Sequence, residues 1–387
     1  MEASATICLL SGTIEPLPEA EEHTLARRVR DQLTLTPYAV SSLTKLSGGT
    51  ANFLYRGTLL QPLAGSTKTV VVKRSKDFVA TNRDFPLDIT RCNYEESMLH
   101  ALDGFPRSIT TAGGCTVEVR VSQLYYFDRE THTQVLQDFA DTTDLTTVLL
   151  QPPLRRLRRE EPAAGIEPED WPNPGMRRLN CLMTYDSFIE ILERHSELID
   201  GHKSTLEEVQ ATFKQEFEQP PVGGDKARGL IHGDFWSGNV LLPNSPWRDN
   251  APQSAQDEET QRLFIIDWEN VLYGHRAVDI GGMLADLYER HHFSGAGASL
   301  SVIEGFVKGY GGPLLSHDDD LAFRVAIHAG VHLICWYYRR DRNAPLPYPL
   351  PTVLSALTLG RDIVLKGWGK DKTWFKGTFL APLFANS

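Results

Sequence analysis

The chain has 387 residues, of which 41% are hydrophobic and 23% charged, so it holds enough apolar material for a folded core and exceeds one small domain. Its 39 Lys and Arg residues against 50 Asp and Glu residues give a formal charge of −11, which disfavours nucleic acids and anionic membrane surfaces as partners. The five cysteines are scattered and form no C-x-x-C pair, so neither a zinc site nor a disulfide framework is indicated.

The first residues, MEASATICLLSG, contain no basic region and an apolar run of only four residues, which predicts that no signal peptide is present. No stretch approaches the roughly 20 apolar residues that span a bilayer. We therefore expect a cytoplasmic protein without a membrane partner, present as a monomer or a homodimer.

The first third of the chain is predicted to be rich in β-structure. Three segments rich in β-branched or aromatic residues, 39–46, 53–60 and 69–74, are separated by turn compositions, and 115–127 and 132–139 are two more strand candidates. The first three predict an antiparallel meander. Apolar residues at helical spacing predict a helix at about 90–102 between the third and fourth segments.

After residue 138 the pattern changes to helical periodicity, at about 176–200, at 204–217 and again at 326–340. The segment at 151–175 is rich in proline and arginine, and we interpret it as a solvated loop, with an anion-binding role as the alternative.

The segment LIHGDFWSGNVLL (230–242) carries polar residues between two apolar runs. Asp234 and Asn239 are separated by four residues, and Asp267 follows a buried-looking strand 28 residues beyond Asn239. If the two strands pair as a hairpin, Asn239 and Asp267 meet at one end and offer oxygen ligands that suit Mg²⁺. Asp234 then remains to accept the proton of a hydroxyl nucleophile.

Residues that would complete a phosphate site occur in the first part of the chain. Lys73 ends the apolar run VVV, and Glu95 lies 22 residues later on the predicted helix, where it can pair with the ammonium group. The neighbouring Glu96 is the alternative partner, although the helix register favours Glu95. Gly48 and Gly49 lie in a turn between the first two strands, where backbone N–H groups can approach phosphates.

In this order, these segments resemble the aminoglycoside phosphotransferase and choline kinase superfamily of protein-kinase-like small-molecule kinases. The resemblance covers roughly residues 40–340 and rests on LSGGTANFLYRG, VVVKR, NYEESMLHAL, VLQDF, HGDFWSGNVLL and IIDWENVLYGHRAVDIGGML. The WSGN and DWE segments are most similar to methylthioribose kinase-like members, including fungal hydroxytryptamine kinases.

The resemblance implies an α+β, two-lobed fold. Residues 1–138 would form a nucleotide-binding N-lobe with an antiparallel sheet and one helix. Residues 139–387 would form a mainly helical C-lobe that carries the catalytic hairpin and binds the acceptor.

The resemblance also implies an enzyme that uses ATP and Mg²⁺ to move the γ-phosphoryl group to a hydroxyl group of a small metabolite. Asp234 would be the catalytic base, and Asn239 and Asp267 the metal ligands. The residues implied for nucleotide binding are Lys73, Glu95, Gly48, Gly49, Asn52, Gln137, Asp138 and Phe139, the last three as the hinge that receives adenine.

Three further polar residues of these motifs have open roles. His232 is predicted to act within the catalytic loop as a brace that hydrogen-bonds backbone near Asp267. Asp279 is predicted to accept backbone N–H groups beside that loop. Glu269 would either assist a second metal ion, orient the substrate, or lie exposed at a strand end.

Acceptor contacts are the least determined part of the site. The candidates are Trp236, Glu269, Asp286 and Trp336, because aromatic rings with carboxylates favour an amine-bearing or aromatic acceptor, with a sugar-like one also possible. The alternative is that these aromatic rings belong to the core. His328 and His332 share one helical face but lack a third ligand, so we interpret them as packing or acceptor contacts.

Two departures from the protein-kinase pattern favour a small-molecule substrate over a peptide. The turn SGGTAN is not G-x-G-x-x-G, and only eleven residues separate Asp267 from Asp279, which leaves no segment for docking a peptide.

Two alternatives to a kinase stay open. One is a catalytically silent nucleotide-binding pseudokinase or scaffold module, and the other is a metal-dependent hydrolase, which would leave Lys73 and Glu95 unexplained.

Overall fold

A computed structural model gives the fold of most of the chain. It describes residues 17–46, 50–103, 108–110, 116–150, 171–218, 227–244, 261–310, 319–336 and 347–385. The α+β class is confirmed, with an antiparallel sheet in the first part and mainly helices in the second.

The first sheet is antiparallel and has five strands in the order β1-β2-β3-β9-β8. Its strands are β1 (Val40–Lys45), β2 (Phe53–Leu63), β3 (Thr67–Arg74), β8 (Leu124–Asp128) and β9 (Thr133–Gln137). Buried residues alternate along β2, where Phe53 and Tyr55 face the core, so one side of the sheet is apolar. The predicted meander of the first three strands is confirmed.

Two helices pack against this sheet. Helix α1 (Glu19–Leu33), which was not predicted, buries Leu25, Val29 and Leu33, and this spacing of four residues is a helical signal within the sequence. Helix α2 (Arg91–Leu102) confirms the predicted helix. A short hairpin of β4 (Phe78–Val79) and β5 (Asn82–Pro86) precedes α2.

A second sheet has the order β10-β12-β13-β7-β6. Its strands are β6 (Ser108–Thr110), β7 (Thr116–Val121), β10 (Thr142–Asp144), β12 (Val240–Pro243) and β13 (Gln261–Ile265). Strands β12 and β13 pair antiparallel, which confirms the predicted hairpin, and β7 pairs parallel with β13. Since β6 and β7 precede residue 138 and β13 follows it, the division into 1–138 and 139–387 stays a prediction.

A third, two-stranded sheet pairs β11 (Arg228–Ile231) with β14 (Leu272–His275). Strand β11 leads into the HGD segment, and β14 follows the segment that carries Asp267. The site therefore lies where the second and third sheets meet.

Helices form most of the remainder. They are α3 (Leu145–Leu149), α4 (Pro174–Met183), α5 (Phe188–Glu193), α6 (Ser196–Ile199), α7 (Lys203–Glu218), α8 (Ala277–Ser294), α9 (Ala298–Tyr310), α10 (Asp319–Trp336), α11 (Leu350–Trp368) and α12 (Lys372–Phe375). The helix predicted at 176–200 is three shorter ones, α4 to α6. A Cβ on Gly281 of α8 would lie 2.8 Å from the Val325 carbonyl of α10, so glycine permits this close crossing. Among the described helices, none combines the length and apolarity that a bilayer crossing requires.

A forked ion pair joins α7 to α10. Arg324 Nη1 donates to Glu216 Oε1 at 2.5 Å, and Nη2 binds the second carboxylate oxygen. Burial disfavours the charged form of Glu216, but Arg324 outweighs burial and holds the pKa of Glu216 below its ordinary value of 4.5.

The stability that this pair contributes should be fully present above about pH 4.5 and be lost as the pH falls through the lower folded-state pKa. Glu216→Gln removes the titrating group, so its free energy of unfolding should fall less than that of the wild type between neutral and acidic pH. Urea unfolding across this pH range measures the difference, and parallel curves for the two proteins would contradict it.

Candidate active site

Residues 232–239, called the HGD loop below, join β11 to β12 and are held by three partly buried hydrogen bonds. Asp279 accepts hydrogen bonds from the backbone N–H groups of His232 at 2.6 Å and Gly233 at 2.9 Å. The His232 ring donates through Nε2 to the Ile266 carbonyl at 2.9 Å, since a carbonyl can only accept. His232 and Asp279 thus make the backbone contacts that the sequence predicted for them.

The backbone at Gly233 is in the left-handed region, with φ +80°, and a Cβ there would lie 2.2 Å from the Asn270 carbonyl oxygen. Gly201 has a similar φ of +76° but nothing within 4 Å of its Cβ position. Gly201→Ala should therefore cost about 1 kcal/mol of strain alone, whereas Gly233→Ala should cost clearly more. Denaturant unfolding compares the two variants, and equal losses would mean that the close approach to Asn270 is absent.

Asp234 is exposed at the surface of the HGD loop, and its backbone is fixed on both sides. Its N–H donates to His232 Nδ1 at 3.3 Å, and its carbonyl accepts from Asn239 Nδ2 at 2.9 Å. Ile266 N–H donates to the Asn239 carbonyl at 3.1 Å, which brings Asn239 beside the segment of Asp267. Because Nδ2 is engaged, Oδ1 is the atom that the Asn239 amide offers to a metal ion.

Asp267 has an unusual backbone conformation for a residue other than glycine, with φ 65° and ψ 57°. Aspartate tolerates this left-handed region better than most residues, and such strain concentrates at functional sites. Trp268 anchors the segment, since its Nε1 donates to the Ile265 carbonyl at 3.2 Å and its ring packs on His232 with centroids 4.6 Å apart.

Lys73 is the centre of a charged cluster and its side chain is only 3% exposed. Its Nζ lies 2.6 Å from Asp267 Oδ1, 2.9 Å from Glu95 Oε2 and 3.2 Å from Glu269 Oε2. Burial lowers the pKa of Lys73, but Asp267, Glu269 and Glu95 outweigh it and hold the pKa well above its usual value. The ammonium group is therefore held charged and extended.

The pKa values of two carboxylates of the cluster, Glu95 and Asp267, shift in opposite directions. Burial raises the pKa of Glu95 above its ordinary value, although Lys73 acts in the opposite direction. Burial also opposes the charged form of Asp267, but Lys73 outweighs it and lowers the pKa of Asp267. Of these two carboxylates, Asp267 thus stays charged more readily.

Glu96, the alternative partner of Lys73, instead pairs with Arg129 at 2.8 Å on the surface. We expect Glu95→Gln to lower turnover by about 100-fold, because Lys73 loses the group that fixes its position. Glu96→Gln makes the same charge change but removes only a surface ion pair, which is worth about 0–1 kcal/mol. Steady-state kinetics of the two variants tests this, and similar losses in both would be inconsistent with the observed pairing.

The predicted hinge lies at the end of β9. Gln137 N–H donates to the Gln123 carbonyl at 2.8 Å. Asp138 forms a two-point ion pair with Arg56 of β2, at 2.7 and 3.1 Å. The Phe139 ring packs on Phe264 of β13 with centroids 4.1 Å apart, and Thr142 Oγ donates to the Phe139 carbonyl at 2.6 Å. These contacts tie the hinge to the first and second sheets.

Of the other residues predicted to bind the nucleotide, Asn52 lies within the described part of the chain and the two glycines do not. Gly48 and Gly49 lie outside the described residues. Asn52 is buried, and its amide contacts Arg91 and Glu269. The structure therefore brings Asn52 to the same cluster as Lys73.

On the acceptor side, Asp286 is buried beneath the HGD loop. It accepts hydrogen bonds from Ser237 N–H at 3.1 Å, Ser237 Oγ at 2.5 Å and Arg290 Nη2 at 2.7 Å. The Arg290 guanidinium lies 5.8 Å from the centroid of the Trp236 ring, and a Cβ on Gly238 would lie 2.2 Å from that ring. Asp286 and Gly238 thus set the position of Trp236.

The remaining acceptor candidates, His328, His332 and Trp336, all lie on α10. Trp336 is the last residue of α10, and its side chain lies outside the described part. His328 Nδ1 binds Tyr185 Oη at 3.0 Å, whereas His332 Nδ1 binds Glu289 Oε1 at 3.2 Å. Across the described ranges, no group of three or more His, Cys, Asp and Glu side chains is arranged to hold a metal ion.

Two features of the cluster were not anticipated. Glu269 is only 2% exposed, so the interpretation of an exposed glutamate at a strand end is wrong. Arg91 is fully buried and contacts both Glu269 and Asn52. The sequence did contain a signal that could have identified Arg91: it lies on the first turn of α2, four residues before Glu95 and hence on the same helical face.

The chain is similar to several known proteins. Residues 154–321 match the model of the phosphotransferase enzyme family. The chain is 29% identical over 403 positions to phosphotransferase FrzJ of Cladobotryum sp, covering 95% of this chain and 98% of the relative. It is 23% identical over 311 positions to 4-hydroxytryptamine kinase of Psilocybe cubensis, covering 76% and 80%. Among solved structures, choline kinase LicA from Streptococcus pneumoniae is 14% identical, with TM-score 0.42 and coverage of 90% and 99%.

The family match includes both the HGD loop and Asp267, where the polar contacts of the site converge. The chain is therefore similar to the phosphotransferase enzyme family over residues 154–321, and the enzyme class that its motifs indicated, a phosphotransferase, is confirmed.

Proposed function

We propose that the chain is an ATP-dependent kinase that transfers the γ-phosphoryl group to a hydroxyl group of a small metabolite. The observation that carries this proposal is the contact of Lys73 Nζ with both Glu95 and Asp267, at 2.9 and 2.6 Å, beside the HGD loop. Phosphoryl transfer requires a cation on the phosphates, a carboxylate for the metal ion and a base at the hydroxyl. Lys73, Asp267 and Asp234 supply these three groups.

The donor set of Asn239 and Asp267 fits a magnesium ion, because both residues offer oxygen, the ligand atom that this hard cation prefers. The Asp267 side chain is 35% exposed, and the Asn239 amide is oriented by its hydrogen bond to the Asp234 carbonyl. When bound, the ion would neutralise charge on the phosphoryl group that is transferred. Asn239 and Asp267 would hold it against the HGD loop.

Each remaining residue has a defined task in this proposal. Asp234 orients the acceptor hydroxyl and takes its proton at a carboxylate oxygen as the new O–P bond forms, while the bond from the γ-phosphorus to the β–γ bridging oxygen breaks and ADP leaves. His232 positions Asp234 through the backbone. Lys73 binds phosphate oxygens, and Glu95 keeps the Lys73 side chain extended.

The nucleotide would bind mainly to residues 1–138, and the acceptor to residues 139–387. The segment Gln137, Asp138 and Phe139 would receive adenine through backbone groups other than the Gln137 N–H and the Phe139 carbonyl, which bind Gln123 and Thr142. The Arg56 ion pair and Phe264 support this assignment because they fix the hinge. Gly48 and Gly49 would approach the phosphates through backbone N–H groups.

For the acceptor we propose a hydroxyl-bearing aromatic amine. Two relatives are named 4-hydroxytryptamine kinases, a name that describes such a compound. The partly exposed Trp236 ring, two residues from Asp234, also suits an aromatic or cationic group. Amino alcohols and sugars are the other compounds to compare.

The test is a screen of hydroxyindoles, amino alcohols, thioribose sugars and aminoglycosides with Mg-ATP, in which mass spectrometry detects the gain of a phosphate group. We expect a phosphorylated product with the wild type and almost none with Asp234→Asn. Nucleotide binding without product on any acceptor would instead identify a silent binding module. Phosphate release from a phosphomonoester without ATP would identify a hydrolase.

A further inference from the structure

Residues 171–177, which we call the strap, lie against the segment that follows Asp267 and have no task in the chemistry proposed above. Asn173 is fully buried within the strap, and its Nδ2 donates to the carbonyl groups of Glu269 at 3.1 Å and Val271 at 2.8 Å. Both partners can only accept, so the nitrogen of the amide is the atom that faces them. One side chain therefore fixes the chain two and four residues after Asp267.

Two further hydrogen bonds extend this contact along β14. The Tyr273 N–H group donates to the Trp171 carbonyl at 3.0 Å, and Arg177 Nη2 donates to the Tyr273 carbonyl at 2.8 Å. The N–H and carbonyl groups of a strand residue point to one edge, and β11 pairs with β14 along the other. The strap therefore covers the edge of β14 that β11 leaves open.

The strap also contacts the helix that carries Glu95. Trp171 is 6% exposed and packs in one hydrophobic cluster with Met98 of α2. Met176 is 1% exposed and packs against β5, which precedes α2. Because Glu95 lies three residues before Met98 on the same helix, the strap joins the helix of the Lys73–Glu95 pair to the segment after Asp267.

Asn173 has the position of a helix cap but does not make the hydrogen bond of one. It directly precedes α4, where an asparagine ordinarily accepts a hydrogen bond from an N–H group of its own helix. No such bond is formed, and Oδ1 is buried without a hydrogen-bond partner in the part of the chain that the structure describes. The backbone has φ 29° and ψ 64°, which asparagine tolerates better than most residues. The side chain therefore supports the segment after Asp267 and not its own helix.

That segment needs support because Asp267 itself has a left-handed backbone. A conformation of this kind persists only where the surrounding structure fixes it from several sides. Loss of the Asn173 amide would take a donor from two backbone carbonyl groups, and the segment would have to shift to find other partners. Such a shift would change the distance between Asp267 and Lys73.

We propose that Asn173 is a positioning residue for phosphoryl transfer, which holds the segment of Asp267 against α2 so that Asp267 and Glu95 both reach Lys73. Asn173 touches no reacting atom and acts only through backbone carbonyl groups. Loss of its amide should therefore change how the metal–nucleotide complex is held and leave recognition of the acceptor unchanged. This inference rests on the proposed kinase function.

Asn173→Gly tests the proposal, because glycine adopts the positive φ freely and only the amide is lost. We expect turnover to fall by between about 10- and 100-fold, as for a small misplacement of a catalytic group. The Mg²⁺ concentration for half-maximal rate should rise, whereas the KM for the acceptor found in the screen should stay within about twofold of wild type. Asn93→Gly is the matched control, since it makes the same substitution at an exposed position of α2 and should leave the Mg²⁺ requirement unchanged.

Hydrogen–deuterium exchange of the nucleotide-free proteins tests the contact without an enzyme assay. In Asn173→Gly, exchange should be faster than in the wild type over residues 267–275 and over α2, and unchanged over α10 and α11. In Asn93→Gly, any faster exchange should be confined to α2.

Wild-type turnover and Mg²⁺ requirement in an Asn173→Gly variant that unfolds at lower temperature would overturn the proposal, because Asn173 would then only stabilise the fold. A raised KM for the acceptor alone, or faster exchange spread evenly over the molecule, would overturn it too. If Asn173→Gly does not fold, Asn173→Ser, which keeps one donor, is measured instead and the same results decide. Absence of product with the wild type would refute the kinase function, whereas the exchange experiment would still decide whether Asn173 holds the segment of Asp267.

Discussion

Replacing Asp234 with asparagine is expected to lower the rate of phosphoryl transfer by about 100- to 10,000-fold, the usual contribution of a positioned base. Asparagine keeps the shape of the side chain but cannot accept the proton of the acceptor hydroxyl. Since Asp234 is exposed and the loop is held through backbone groups, the free energy of unfolding should change by no more than about 0.5 kcal/mol.

Asp279→Asn provides the comparison. Asp279 binds the N–H groups of His232 and Gly233, so this variant should lose stability and activity together. Single-turnover kinetics and urea unfolding of both variants separate the two effects. Near-wild-type turnover of Asp234→Asn would remove Asp234 from the proposed chemistry.

The second large effect is expected at Asp267. Asparagine tolerates the left-handed backbone at this position, so Asp267→Asn removes the charge while it keeps the conformation. The variant should lose about 100- to 1,000-fold in turnover, as when one electrostatic contact to the transition state is removed. It should also need more Mg²⁺ for half-maximal rate, since an amide is a weaker ligand than a carboxylate.

Titration of the rate with Mg²⁺ at fixed ATP measures both changes. Asp267→Ala adds about 1–2 kcal/mol of backbone strain to the loss of charge, so comparison of the two variants isolates the strain. An unchanged Mg²⁺ requirement in Asp267→Asn would rule out Asp267 as a metal ligand.

Local pattern predicted much of the fold. The meander, the helix at residues 91–102 and the hairpin of β12 and β13 follow from periodicity and turn residues that lie within each segment. The parallel pairing of β7 with β13 was not predicted, because it joins strands about 140 residues apart and leaves no trace in the pattern of either.

In the candidate site too, some contacts were predicted from the sequence and others were not. The sequence predicted that Lys73 pairs with a glutamate of the helix, and that Asn239 and Asp267 meet at the end of a hairpin. It also predicted the bracing contacts of His232 and Asp279, although these contacts join residues 34 and 47 positions apart in the chain.

The order and local form of the motifs could be predicted because they depend on residues that are near one another in the chain. Tertiary packing selects which of two adjacent glutamates faces Lys73, and it buries Glu269 against Asn52, 217 residues away. Whether a charged side chain lies in water or in the core depends on which distant segments surround it and neutralise it. Arg91 performs that neutralisation beside Glu269, and only the packing of α2 against the Asp267 segment brings the two together.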